Sequence, residues 1–260
     1  MQTIIPAIST SFYSDWTFWS VVFSAIAILL SQLPPIRIWF KRARIEFELH
    51  SKICLTHKVG NPNLQLHIMI SNVGGRKIKI RKINAKIESD NEVQINLPTQ
   101  NYLQTPSDKN GILFTTFSIK PGEDWGHIIN LLNFFNRENN RIYLDLRRNL
   151  LNDLRIKLDS RSSKEKAAQK IVEADENYTV PLRNFFDQHF VWNSGEYKLT
   201  VEILTDKDSA NYSKSFRFTI FESHVDELKS IVDRYKYGED ILYDVSFINL
   251  PQIILDVTEV

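Results

Sequence analysis

Two periods of apolar residues divide the chain. From Trp16 to Ile36 there are 21 residues without a charge, between Asp15 and Arg37. Beyond residue 44 apolar positions alternate with polar ones: Ile45, Phe47, Leu49, then Ile53 and Leu55; Leu64, Leu66, Ile68 and Ile70; Ile78, Ile80, then Ile83, Ala85 and Ile87. Val93, Ile95 and Leu97 continue the pattern, as does the stretch Ile112–Ile119. Alternation gives a strand one buried face and one wet face, as in antiparallel sheets. The slip at Arg81-Lys82 predicts a bulge. Gly60-Asn61-Pro62 reads as a turn, and Gly74-Gly75 as a tight hairpin.

Between about 122 and 182 the period lengthens. Leu146, Leu150, Leu154 and Leu158 recur every fourth residue, which is helical spacing. Ser162 with Glu165 reads as a capping box before Ala167, Ala168, Ile171 and Val172. His127–Phe135 fits strand or helix. Alternation returns at Tyr197, Leu199, Val201 and Ile203, and again at Phe216, Phe218 and Ile220. A last helix is expected to open at Ser223, boxed with Asp226, and to stop at Gly238. The pattern predicts a mainly β fold: an immunoglobulin-like β-sandwich over 45–222, with a helical insertion near 122–182 and a helix plus tail over 223–260. Two small domains are the alternative division.

The uncharged run is expected to be a transmembrane helix over 16–35, since about 20 apolar residues span a bilayer core. Trp16 and Trp19 stand at its start and Trp39 beyond its end, as interfacial aromatics do. Pro34-Pro35 would end it. A cleaved signal is disfavoured, because residues 1–15 hold no Lys or Arg. Arg37, Lys41, Arg42 and Arg44 follow the span and no base precedes it. This puts the N-terminus outside and residues 37–260 in the cytoplasm, at the inner (plasma) membrane. Residues 36–44 read either as an amphipathic juxtamembrane segment, with Trp39 and Phe40 at the acyl boundary and the four cations among headgroups, or as a plain stop-transfer cluster leading into a strand.

Composition narrows the chemistry. The 260 residues carry 32 Lys+Arg and 31 Asp+Glu, a net charge of +1. That gives no general affinity for nucleic acid. One cysteine, Cys54, excludes an internal disulfide and a multi-thiolate zinc site, and it reads as a core residue rather than a nucleophile. No H-E-x-x-H, G-x-S-x-G, Walker or G-x-G-x-x-G motif occurs. No catalytic residue, metal ligand or cofactor is assigned, and the chain is expected to be non-enzymatic.

Three surfaces remain. Ser20, Ser24, Ala27 and Ser31 share one face of the apolar helix, where small residues admit a second helix and allow homo-oligomers. Residues 137–170 hold ten basic and five acidic residues; Arg147, Arg148, Arg155, Lys157, Lys164 and Lys166 are the candidate partner-binding set. Anionic lipid, an acidic protein or nucleic acid would suit them, the last disfavoured by the scarcity of aromatics. Residues 239–260 hold five acids and no base, with apolar runs that would add a strand to the sheet or to a partner's edge.

This layout, one apolar span, a basic flank and a cytoplasmic β domain, resembles the single-span membrane effectors associated with bacterial antiviral defence systems. The resemblance is one of architecture and implies an oligomerising protein that perturbs the bilayer. The residues themselves favour a membrane-anchored, non-enzymatic interaction module; an accessory domain of an enzyme or transporter complex is a further alternative. The strand phases assign Phe47, Leu66, Ile68, Ile80, Trp192, Tyr197, Leu199 and Phe218 to the core. Leu66→Ala is expected to cost about 2–5 kcal/mol; an unchanged thermal midpoint would show that the phase is wrong.

Overall fold

The computed structural model describes residues 15–32, 41–89, 94–105, 108, 111–163, 171–239, 241 and 251–260. The alternating segments form β1 (Ile45–Lys58), β2 (Asn61–Asn72), β3 (Ile78–Ser89), β4 (Gln94–Leu103), β5 (Ile112–Leu113) and β6 (Phe117–Ile119). Five more strands follow: β7 (Asp124–Leu132), β8 (Gly195–Thr205), β9 (Tyr212–Ile220), β10 (Ile253–Asp256) and β11 (Thr258–Glu259). The fold is mainly β, a barrel-like sandwich with helices. One layer runs β10-β1-β2-β7-β4, the other β4-β3-β8-β9-β11, all antiparallel.

Two segments belong to both layers. β4 pairs with β3 from Gln94 to Pro98 and with β7 from Thr99 to Leu103, with a register slip between Thr99 and Asn101. A bulge bends a strand, and here it turns β4 from one layer into the other. At the opposite edge β10 pairs with β1 and β11 with β9, with Val257 between them. The Val257 amide donates to the Ser51 carbonyl (2.9 Å) as the chain crosses. The sheet therefore closes on itself, which removes its long free edges.

The core lies between the layers. The Phe47 ring on β1 meets Tyr212 and Phe216 on β9, at centroid distances of 6.0 and 6.4 Å. All eight residues expected in the core are buried. The bulge in β3 falls where the sequence slips, between Ile80 and Lys82. The Tyr197 hydroxyl, at the start of β8, donates to the Asn193 carbonyl (2.9 Å) and accepts from the Asn193 amide (3.0 Å). His127 and its neighbours resolve as strand β7.

Gly74-Gly75 is not a hairpin, because β2 and β3 lie in different layers and do not pair. Its glycines serve close approach instead. A Cβ at Gly74 would lie 2.5 Å from the Arg42 carbonyl oxygen, and the Gly74 and Gly75 amides donate to the Arg44 and Arg42 carbonyls (3.1 and 3.3 Å). Asn72 anchors this crossing from a buried position: its side-chain amide donates to Arg76 and Ile119 carbonyls (both 2.9 Å) and its oxygen accepts from Gly74 N–H (3.1 Å). The first turn is Val59-Gly60, with φ of 48° and 85°, and Asn61-Pro62 open β2. Cys54 is not a core residue. Ile53 and Leu55 face inward, so Cys54 points outward and is half-buried beside Gln252.

The insertion folds as α2 (Arg137–Asp159) and α3 (Glu176–His189). With a 3₁₀ helix (Ser230–Tyr237), they build a second core of Tyr143, Leu150, Leu154, Leu182, Phe185, Phe186, Ile231 and Tyr235. α4 (Glu222–Lys229) begins one residue before the expected start, and the ring of His224, not Asp226, accepts the Phe221 amide (3.3 Å). Gly238 ends the 3₁₀ helix with a left-handed φ of 76°. The expected Ser162–Glu165 box lies partly outside the described residues, as do Val93 and residues 164–170.

This helical unit caps the sandwich end that carries the β1–β2 turn. Val59 belongs to its core, and a Cβ at Gly60 would meet the Phe186 carbonyl oxygen at 2.4 Å. His57 lies in the joint, fully buried between the rings of Phe186 and Phe190. Its Nε2 faces the Leu228 carbonyl (2.8 Å), and its Nδ1 faces the Gly60 amide (3.3 Å). These partners suit a neutral ring that donates from Nε2 and accepts at Nδ1.

A further helix, α1 (Trp16–Gln32), has 17 residues and no charged one. At 1.5 Å per residue it is about 25 Å long, short of the ~30 Å of a bilayer core. Among the described residues no helix is long and apolar enough to cross a membrane. The span expected over 16–35 is thus not found as such, and Leu33, Pro34 and Pro35 lie outside the described residues. None of the described side chains of α1 is buried.

Burial holds the His57 ring down to about 4. A folded pKa below the unfolded value means that the unfolded chain takes up the proton first. The contribution is complete above pH ~6.5 and is lost as pH falls towards about 4, a total of roughly 3 kcal/mol. The thermal midpoint is expected to fall across this window in the wild type and more gently in His57→Gln; equal slopes would remove His57 from the joint's energetics.

Candidate functional site

The strongest candidate surface is the outer side of α2. The helix starts where the Asn136 side chain accepts the Asn139 amide (2.8 Å), an N-cap bond that satisfies an otherwise orphaned donor. Tyr143, Leu150 and Leu154 turn inward. Arg141, Arg148 and Arg155 recur at intervals of seven and share the outer side, flanked by Leu144, Leu151 and Leu158 at the same interval. Leu144, Arg147, Arg148, Leu151, Asn152 and Arg155 line a shallow cleft of about 490 Å³.

The cations are used differently. Arg147 lies over the Tyr143 ring (5.8 Å), and Arg148 pairs with Asp145. Arg155 is exposed and makes no ion pair among the described residues. Lys157 belongs to the fold: its ammonium meets Asp153 (2.8 Å) and the Glu173 carbonyl (3.1 Å), tying α2 to the segment before α3. Lys164 and Lys166 lie outside the described residues. Of the expected partner-binding set, the structure brings Arg147, Arg148 and Arg155 together.

On α1, Ser20, Ser24, Ala27 and Ser31 are exposed along one side. The hydroxyls donate to their own helix, Ser20 to Thr17, Ser24 to Ser20 and Ser31 to Ile28, at 2.7–2.8 Å. The stripe thus offers a partner close approach rather than free donors. Trp16 and Trp19 are exposed in the first turn. Lys41, Arg42 and Arg44 are exposed before β1, whereas Arg37, Trp39 and Phe40 lie outside the described residues.

A second cleft had no signal in the sequence. Glu196, Arg217, Phe221, His224, Ile254 and Asp256 line about 500 Å³ beside the crossing of the last strand. Its walls come from three distant segments, and no local spacing marks them. Among the described residues no group of three or more His, Cys, Asp or Glu side chains could hold a metal ion.

The comparisons with known proteins add no relative: no family model, no curated protein and no solved structure matches the chain. The surfaces therefore carry the functional reading by themselves.

Thiol chemistry provides one check. Burial pushes the Cys54 thiol up to about 11. Alkylation at pH 8 is expected to run about a hundredfold slower than for a free cysteine, because the thiolate is the nucleophile. Labelling at the rate of a free thiol would reopen a nucleophilic role.

Proposed function

We propose that this chain is a membrane-anchored, non-enzymatic interaction module built on an immunoglobulin-like sandwich. Strand order supports the fold type. With β5 and β6 as excursions, the first, second, fifth and fourth strands (β1, β2, β7, β4) share one layer and the third, sixth and seventh (β3, β8, β9) the other. That is the constant-type immunoglobulin order. Tyr197, bonded to the backbone four residues upstream at the start of β8, matches the tyrosine corner of such domains. α2 and α3 are then an insertion between the fifth and sixth strands.

The observation that carries the function is the polarity of β1. Its first residue follows the basic segment 41–44, and its last leads into the turn beneath α3. Fourteen residues at roughly 3.3 Å each separate these ends by about 45 Å. One end receives the chain that comes from the apolar segment 16–36 in the sequence; the other holds the helical unit with Arg147, Arg148 and Arg155. A sandwich standing on its anchor directs this basic side away from the anchoring bilayer. Its partner is then an acidic protein in the cytoplasm rather than the lipid holding α1. The cytoplasmic side is supported by Lys41, Arg42 and Arg44 after the apolar run, with no base in residues 1–15.

The membrane fraction is expected to retain the protein through alkaline extraction. Protease added to spheroplasts is expected to leave 45–260 intact. Release at alkaline pH would remove the anchor from this reading, and digestion from outside would reverse the orientation.

A further inference from the structure

The sandwich end at the start of β1 joins two basic segments that are far apart in sequence. Lys41, Arg42 and Arg44 enter β1, and Arg76 and Lys77 lie in the crossing between β2 and β3. The bonds from the Gly74 and Gly75 amides to the Arg44 and Arg42 carbonyls hold the segments side by side. Ala43, between the arginines, is buried against the sandwich, so this entry is packed and not a loose tether. Asn72 fixes the crossing from beneath through its bonds to Arg76 and Ile119.

The charges at this end are not balanced. Arg44 pairs with Glu46 (3.5 Å), Lys120 with Glu123 (3.3 Å) and Lys207 with Asp206 (3.8 Å). Lys41, Arg42, Arg76 and Lys77 are exposed and make no ion pair among the described residues. Glu123 is the acid that feels Lys77, and Asp124 is the further carboxylate in that turn. Four exposed cations without an ion pair among the described residues thus gather at the end where the chain enters β1.

We propose that Arg76 and Lys77 complete a basic platform with Lys41 and Arg42 that rests on anionic phospholipid headgroups of the bilayer holding the apolar segment. The proposal rests on the anchor reading above and adds to it a second contact, made by the folded domain itself. An anchor alone leaves a domain free to tilt. A platform that includes a strand-to-strand crossing fixes the tilt and keeps the α2 side turned from the lipid. Each cation near an anionic surface contributes about a fivefold preference at ordinary ionic strength, and salt screens it.

The test uses the full chain in nanodiscs of phosphatidylcholine, with and without phosphatidylglycerol, and reads lysine acylation by mass spectrometry. Lys77 is expected to react about fivefold more slowly in the anionic discs, with protection lost at high salt. Lys198, near the opposite end, is expected to react equally in both. Replacing Arg76 alone by Glu is expected to reduce the protection of Lys77, and both side chains are exposed, so folding is not at stake. Equal rates at Lys77 in the two lipids would overturn the platform and leave the anchor standing. Protection of Lys198 as well would mean that the domain lies on its side, which also overturns it. Failure to enter discs of either lipid would sink the anchor reading, and the platform with it.

Discussion

The fold depends on two segments that each hydrogen-bond to both layers. A pair of antiparallel sheets stays together through the apolar faces between them, but this attraction is non-directional and leaves four edges exposed. Here β4 passes from β3 to β7 at one edge, and the last ten residues pass from β1 to β9 at the other. Closure orients the layers and brings Phe47 onto Tyr212 and Phe216. It also ties residues 253–256 to the first strand, so the core is complete only when these distant segments have met. Pairings this distant in sequence require large loop-closure entropy before any contact rewards it.

Closure gives the domain two unlike ends. At one, glycines without side chains let the entry segment 42–44 lie directly on the crossing at 72–76. At the other, Gly60 lets the backbone of α3 lie directly on the first turn. Both contacts use the same device, since a Cβ would lie about 2.5 Å from a carbonyl oxygen in either place. The elements on each side are fixed, and the 14-residue strand between them sets the separation. The basic side of α2 and the cations of the 41–44 and 76–77 segments therefore occupy opposite poles of the domain.

His57 shows how such a joint constrains chemistry. A ring that would titrate near neutrality in water is held neutral by burial, and both its nitrogens are committed to backbone groups. It stabilises the seam between sandwich and helices and is unavailable for proton transfer. Cys54 is similar: half-buried beside Gln252, its thiol is held protonated. Arg155 and the cations of the opposite pole, by contrast, remain exposed to solvent.

Strand phase, the β3 bulge, the α2 register and the stop at Gly238 were legible in the residues because each rests on local spacing. Period-two alternation follows from the pleat, and an αL stop follows from glycine alone. The basic side of α2 was legible for the same reason, apart from Lys157, whose partners lie in another segment. Which strand pairs with which was not legible. Gly74-Gly75 has the composition of a hairpin, yet the chain changes layer there, because pairing depends on hydrophobic faces meeting across the domain. The inward or outward sense of Cys54 followed from its neighbours Ile53 and Leu55 only once the core side was known. The Glu196–Arg217–Asp256 cleft and the meeting of Arg76 and Lys77 with Arg42 arose solely from tertiary structure. Sequence carries local period and charge, whereas contacts between distant segments are decided by how the closed sheet distributes its buried area and backbone hydrogen bonds.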